Sequence, residues 1–520
     1  MSDGTGNETY AYDDNGFETS TVTTYSGLPA QTITYAYYPD SSRQSMTTPV
    51  GTFSSSYDGA GRMTGLTNPY SEAFSWTHAS NGWLTGQQSA NAAITAYAYN
   101  ARGQMTNLTN LMNDNSTLLS QFNSVSYDAV NNRTAITASI PAAPTYGGTT
   151  NYAYDVKNQV TQEQSTQLGG FTNNFGYDAA GNATTFRGSA RTYNVNNQDT
   201  SDSYDGNGNP TVYHGNGLTF DPENRLSSYG ATMTAGYRGD NLRAWKQTAA
   251  GVTYFLYDGI QPICEINATG TVTAVNTSGA NGILARRSGG SSVFYTFDMQ
   301  GNTVQRLSSN GAILSTHAFN AFGSRSTTVA NADPFGGFKA QHGYYTDYET
   351  GLQLLTYRYY DSSTGRFVNR DPIQYEGGVN LYNHVQNNSP NMEDPVGLFN
   401  AGKFKKCFAK FNLWALLLGC LTGNIFCKAL LALLAAGIIA CLVLNGPDGE
   451  TLGGPCILAL LKAYRATCWN LAQCLMGLVG SIIFHAVLCA REAMEPGDVK
   501  KCTIKILPPG RPFPDPKTFL

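Results

Sequence analysis

Charge is what this 520-residue sequence has least of: Asp, Glu, Lys and Arg together make up only 13%. With 41% hydrophobic residues the chain can build cores, so wholesale disorder is excluded. Long apolar helical runs are missing from the first 398 residues, which instead hold most of the 55 Gly and 32 Tyr among abundant Asn, Ser and Thr. That composition predicts many short strands joined by tight turns. The six histidines (His78, His214, His317, His342, His384, His485) share no ligand spacing, so neither a metal nor any other cofactor is expected. The start, Met1 to Asn7, has neither the basic region nor the apolar stretch of a Sec signal. Because Tyr10-Ala11-Tyr12-Asp13 already fits the repeat described below, the chain is expected to be a fragment of a longer protein.

Cysteine is almost absent upstream, where Cys264 stands alone, while nine cysteines crowd the residues after 398. Charge divides at the same place. Residues 399–520 carry ten Lys and three Arg against six Asp and Glu, a net +7 that leaves −11 upstream within the total of −4. A basic surface is drawn to nucleic acid or anionic lipid, or simply keeps an apolar domain in solution. No specific nucleic-acid motif accompanies it. Nine thiols in a short tail fit disulfides formed in an oxidising compartment, and they also fit small apolar side chains packed between helices.

What is present upstream is a repeat. An aromatic residue is followed by Asp or Asn, a Gly or Asn turn and then an apolar or Thr-rich run, as in Tyr57-Asp58-Gly59-Ala60-Gly61-Arg62-Met63 and Tyr177-Asp178-Ala179-Ala180-Gly181-Asn182-Ala183. Further copies start at Tyr99, Tyr127, Tyr154, Tyr204, Phe220 and Phe297. Asp caps the turn, Gly or Asn takes the positive φ, and each copy is one hairpin. A single hairpin cannot bury its own apolar face, so the copies must stack into a continuous sheet that spirals or closes. The tyrosines fit aromatic ladders between strands better than carbohydrate stacking.

Residues 346–398 form a second region. Thr346-Asp347-Tyr348-Glu349-Thr350-Gly351-Leu352 leads through Tyr357-Arg358-Tyr359-Tyr360-Asp361 to Arg370-Asp371-Pro372-Ile373, and Asn387-Asn388-Ser389-Pro390 precedes Asp394-Pro395-Val396-Gly397-Leu398. The two Asp-Pro steps, 23 residues apart, each place a carboxylate on a rigid turn. If the two acids meet, like charge keeps one protonated as a general acid while the other, as general base, activates water.

The repeats resemble the YD repeats of the Rhs family, and residues 346–398 resemble the Rhs repeat-associated core. The resemblance implies a mostly β protein, a YD-repeat hairpin shell or solenoid (a partial cocoon) over 1–345, followed by the core. It implies cleavage after the second motif, between Leu398 and Phe399, with Asp371 and Asp394 as the pair and Arg358 as a third position that orients the strand or stabilises charge. One departure is Gln374, which stands where the family's first motif has glycine.

From Phe404 onward the pattern turns helical, and a small all-α domain is expected over 399–520. Ala429–Leu444 runs about 16 residues without a charge, short of a bilayer span, and within 412–490 a membrane-inserting hairpin and a soluble bundle are both open. Two functions compete. One is a secreted or cell-surface polymorphic-toxin carrier that encloses its own C-terminal segment and frees it by self-cleavage, with an immunity protein and a secretion apparatus as the partners the resemblance implies. The other is a surface adhesion or carbohydrate-binding protein with an apolar anchoring tail.

Overall fold

The computed structural model describes residues 1–398 except 92, 113 and 115. The expected helical domain, its cysteines, the stretch 412–490 and Phe399 lie outside the described residues. Apart from two hairpin tips, 37–43 and 59–62, the described residues belong to one compact unit.

This unit is mostly β and, with the exception of short 3-10 turns, contains no helix among the described residues. Sixteen strands, from Ser2–Asp3 to Phe171–Asn174, form one antiparallel sheet in which every strand pairs with its neighbours in the chain. Fourteen more, from Ser203–Tyr204 to Arg325–Thr327, form a second sheet by the same rule. A three-stranded sheet lies between them in sequence, and Tyr345–Asp347, Leu352–Leu355, Arg358–Asp361 and Arg366–Phe367 make a final four-stranded sheet. Chain-order pairing is what hairpin repeats dictate, since each turn can only return the chain alongside the strand it has just left.

Alternation places one side of each strand inside. In Ala73–His78, Phe74 and Trp76 are buried while their neighbours are exposed. Such aromatics meet Leu256, Val275, Phe294 and the free, fully buried Cys264 of the second sheet in one core. Each fully buried side chain of this kind contributes roughly 1.5–3 kcal/mol. Polar stitches cross the same interface: Tyr25 donates to the Phe255 carbonyl, Trp76 Nε1 to Asn281 Oδ1 at 3.0 Å and Asn110 Nδ2 to the Phe297 carbonyl at 3.0 Å.

The repeat pattern has a specific structural meaning. The motif tyrosine donates its hydroxyl to the residue that opens the strand after the preceding turn: Tyr127 to the Met105 carbonyl at 2.7 Å, Tyr154 to Arg133 at 2.6 Å, Tyr177 to Val160 at 2.8 Å and Tyr257 to Arg243 at 2.8 Å. These tyrosines are therefore ladder residues, each tying one hairpin to the next. The motif aspartate folds the turn. Asp155 Oδ1 accepts from the amides of Lys157 at 2.8 Å and Gln159 at 2.9 Å, while Asn158 takes the left-handed conformation, φ +65°.

Turns are also bonded to turns. Asn132, Asn182 and Asn209 each donate to their own motif aspartate and, across to the next turn, to Asn158, Asn197 and Asn224 at 3.0, 2.8 and 2.7 Å. Each acceptor is a left-handed asparagine. The chain from Arg366 to Asn391 runs across this row of turns. Arg366 and Asn380 both donate to Asn182 Oδ1, at 3.0 and 2.7 Å, Tyr382 donates to the Gly208 carbonyl at 2.7 Å, and Asn388 donates to Asn132 Oδ1 at 2.9 Å. The region that carries both Asp-Pro steps is thus docked on the repeats by matching amides.

Candidate active site

Arg358 opens a strand whose four residues are all buried, and the guanidinium itself is fully buried. It faces the ring of Phe367, 3.6 Å from the centroid. Its Nη2 lies 2.8 Å from Asp371 Oδ2 and 3.7 Å from Asp394 Oδ2. The two aspartates picked out in the sequence, far apart in number, are therefore brought to one guanidinium nitrogen. The same arginine donates through Nε to the Gly397 carbonyl and through Nη1 to the Leu381 carbonyl at 3.2 Å.

Each acid is held by its own turn. Asp371 donates its amide to the Leu381 carbonyl at 2.9 Å and accepts from the Ile373 amide at 3.0 Å. Gln374, where a glycine was expected, takes φ +52°, the conformation a glycine would adopt without strain. The chain after Asp394 folds back: Gly397 donates to the Asp394 carbonyl at 3.2 Å, and the Leu398 amide donates to Asp394 Oδ1 at 3.0 Å. Gly397 is itself left-handed, φ +72°, and a Cβ there would sit 2.7 Å from the Leu355 carbonyl. Thr356 and Tyr357 grip the carbonyls of Pro395 and Val396 at 3.3 Å each. Residues 395–398 are thus clamped along Arg358, with Leu398 at the end of the described chain.

Burial raises the pKa of Asp371 against the opposing charge of Arg358, and the negative charge of Asp394 adds to the rise. The sequence reading expected two acids sharing a proton. Arg358, expected as a third position, lies against both, and desolvation is the largest cause of the rise at Asp371. A pocket of about 480 Å³ opens beside Asp371, lined by Asn197, Asn207, Asn224, Arg370 and Tyr375 among others.

Three buried side chains near the acids escaped the sequence reading. Tyr344 accepts from the Asp394 amide at 2.8 Å, His384 Nε2 pairs with the Tyr344 hydroxyl at 3.0 Å, and Lys339 Nζ donates to the Met392 carbonyl at 2.8 Å. None sits in a spacing that marks it, because their partners are backbone groups or one another, forty to fifty-three residues away.

No protein-family profile matches the chain. Over 174 residues it is 29% identical to the tRNA3(Ser)-specific nuclease WapA of Bacillus spizizenii, a match covering 32% of this chain and 7% of that protein. Over 153 residues it is 31% identical to the double-stranded DNA deaminase toxin A of Burkholderia cenocepacia, covering 28% of this chain and 10% of the relative. The chain therefore matches only a small part of either relative. Among solved structures it resembles TcdB2-TccC3, with a TM-score of 0.62 at 19% identity over 75% of this chain and 24% of that one. The same protein without its hypervariable C-terminal region matches at a TM-score of 0.62 and 18% identity, over 75% of this chain and 23% of that one. The described residues thus share the fold of TcdB2-TccC3, and the relatives in sequence include nucleases and a deaminase toxin.

Proposed function

We propose that this chain is part of an Rhs-type toxin carrier that cuts itself between Leu398 and Phe399 and frees the segment from 399 onward. The observation that carries the reading is the convergence of Asp371, Asp394 and Arg358 on the clamped stretch 395–398. In this reading Asp394, whose carboxylate already holds the Leu398 amide, takes a proton from water as the water oxygen attacks the Leu398 carbonyl carbon. Asp371, whose pKa burial raises, acts as the general acid and gives a proton to the carbonyl oxygen. As the tetrahedral intermediate collapses, Asp394 passes the proton it took from water to the Phe399 nitrogen, the carbon–nitrogen bond breaks, and one hydroxyl of the intermediate gives its proton back to Asp371, leaving a carboxyl group on Leu398 and an amine on Phe399. Arg358 touches both acids and the Gly397 carbonyl, so it aligns the chain and offsets charge from a buried position. Similarity to toxins in sequence and to TcdB2-TccC3 in fold supports the carrier role.

The test is the mass of the full chain after expression, with and without Asp394→Asn. Two species meeting between Leu398 and Phe399 are expected from the parent, and a single intact species from the variant. An intact parent recovered with membranes would sink the reading and favour the anchored surface protein.

A further inference from the structure

Asp394 is directed by its backbone as well as by its carboxylate contacts. Its amide donates to the Tyr344 hydroxyl at 2.8 Å. Tyr344 is fully buried, its ring edge-on to Phe338 at 6.2 Å. The hydroxyl has one proton and already accepts one bond. Its other partner is Nε2 of His384, at 3.0 Å.

His384 is also fully buried, packed at 4.2 Å against the Tyr360 ring and at 5.5 Å against that of Phe367. Its Nδ1 has no hydrogen-bond partner among the described residues. If the hydroxyl donates to Nε2, that single N–H is the one group left over. If Nε2–H donated instead, the tyrosine proton and Nδ1 would both be left over. The first arrangement is thus assigned, since each buried polar group without a partner costs about 1–3 kcal/mol. Burial, reinforced by the charges of Lys339 and Arg358, holds the imidazole neutral and so keeps Nε2 an acceptor. The order is then fixed: Asp394 amide to Tyr344 hydroxyl to His384 ring.

We propose that Tyr344 and His384 are positioning residues for self-cleavage, the histidine orienting the tyrosine hydroxyl and the hydroxyl fixing the backbone of Asp394. The inference rests on the cleavage reading above. A carboxylate turned by a small backbone shift loses its place against Leu398 and Arg358, and a displacement of about 1 Å can cost on the order of 100-fold in rate. Among the described residues neither is hydrogen-bonded to Leu398.

The experiment follows cleavage of the full chain over time after synthesis, by mass, in the parent, Tyr344→Phe, His384→Leu and His384→Gln. Stability is compared by urea unfolding of the same changes in an Asp394→Asn background, which keeps the chain intact. Tyr344→Phe and His384→Leu are expected to slow cleavage roughly 10-fold or more, and His384→Gln, whose side-chain carbonyl can accept from the hydroxyl, to recover most of the rate. A folding role alone makes the rate track the urea midpoint. The positioning role makes the rate fall where the midpoint does not. If the parent cuts after Leu398 and both Tyr344→Phe and His384→Leu cut as fast, the proposal fails and the cleavage reading stands. If Tyr344→Phe does not fold, the contrast between His384→Leu and His384→Gln decides, and equal rates overturn the proposal. A parent that never cuts fails the cleavage reading itself, and this proposal with it.

Discussion

The amide of Leu398 donates to Oδ1 of Asp394 at 3.0 Å, closing a turn that lays the carboxylate against the residue just before the proposed cut. The bond requires the reversal at Gly397, and it leaves the other oxygen of Asp394 facing Arg358.

Arg358 should be more than a charge. Replacing it with Met leaves Asp371 and Asp394 buried without their cation, at a cost of about 3–5 kcal/mol. Calorimetry of the intact chain should show a large fall in Tm. Arg358→Lys keeps one positive charge but cannot reach Asp371, Gly397 and Leu381 together. It is expected to retain most of the stability and to cleave roughly 10-fold slower or worse. A lysine variant that cuts at the parent rate would remove the aligning role.

Two left-handed residues test the turns. Gly397→Ala puts a methyl 2.7 Å from the Leu355 carbonyl at φ +72° and should cost about 1–3 kcal/mol while slowing cleavage. Gln374→Gly relaxes a strained φ of +52° and should leave stability unchanged or raise it by up to about 1 kcal/mol. Urea midpoints and cleavage time courses check both, and a destabilised Gln374→Gly would mean that the glutamine side chain holds the turn.

Glu163 should give stability a pH dependence of its own. It is buried, accepts from Asn173 Nδ2 at 2.9 Å and from the Ala321 amide at 2.7 Å, and burial pushes its pKa from 4.5 up to about 7. The folded chain then keeps its proton up to about pH 7, whereas the unfolded chain releases it near 4.5. Folded chains bind more protons across that window, so stability is greatest below it and falls as pH rises through it, by about 3 kcal/mol in all. Subtracting the unfolding profile of Glu163→Gln from that of the parent should isolate this slope. Parallel profiles would show that the carboxyl is ionised when folded.

The row of turns should have an energetic centre. Asn182 donates to Asp178 and Asn197 and accepts from Arg366 and Asn380, whereas Asn209 donates to Asp205 and Asn224 and has no partner for Oδ1 among the described residues. Asn182→Ala strands two buried donors and should cost about 2–3 kcal/mol, against about 1 kcal/mol for Asn209→Ala. Equal urea midpoints would show that the amide matching does not hold the core segment in place.

Local chemistry made much of this protein legible in sequence. The Tyr-Asp-turn units foretell hairpins because an Asp cap and a left-handed Gly or Asn act within five residues, and hairpins in series can only pair in chain order. Asp371 and Asp394 stood out because the proline after each marks a turn wherever it falls, and Arg358 through the family resemblance alone. What tertiary structure alone decided is which distant groups meet. The bond from Tyr127 to Met105, the docking of residues 366–391 on Asn132 and Asn182, and the arginine set against both acids all depend on how the sheets stack. Tyr344, His384 and Lys339 were silent for the same reason. They bind backbone or one another across forty to fifty-three residues, and every residue offers the same amide and carbonyl, so no spacing in the sequence records such a choice.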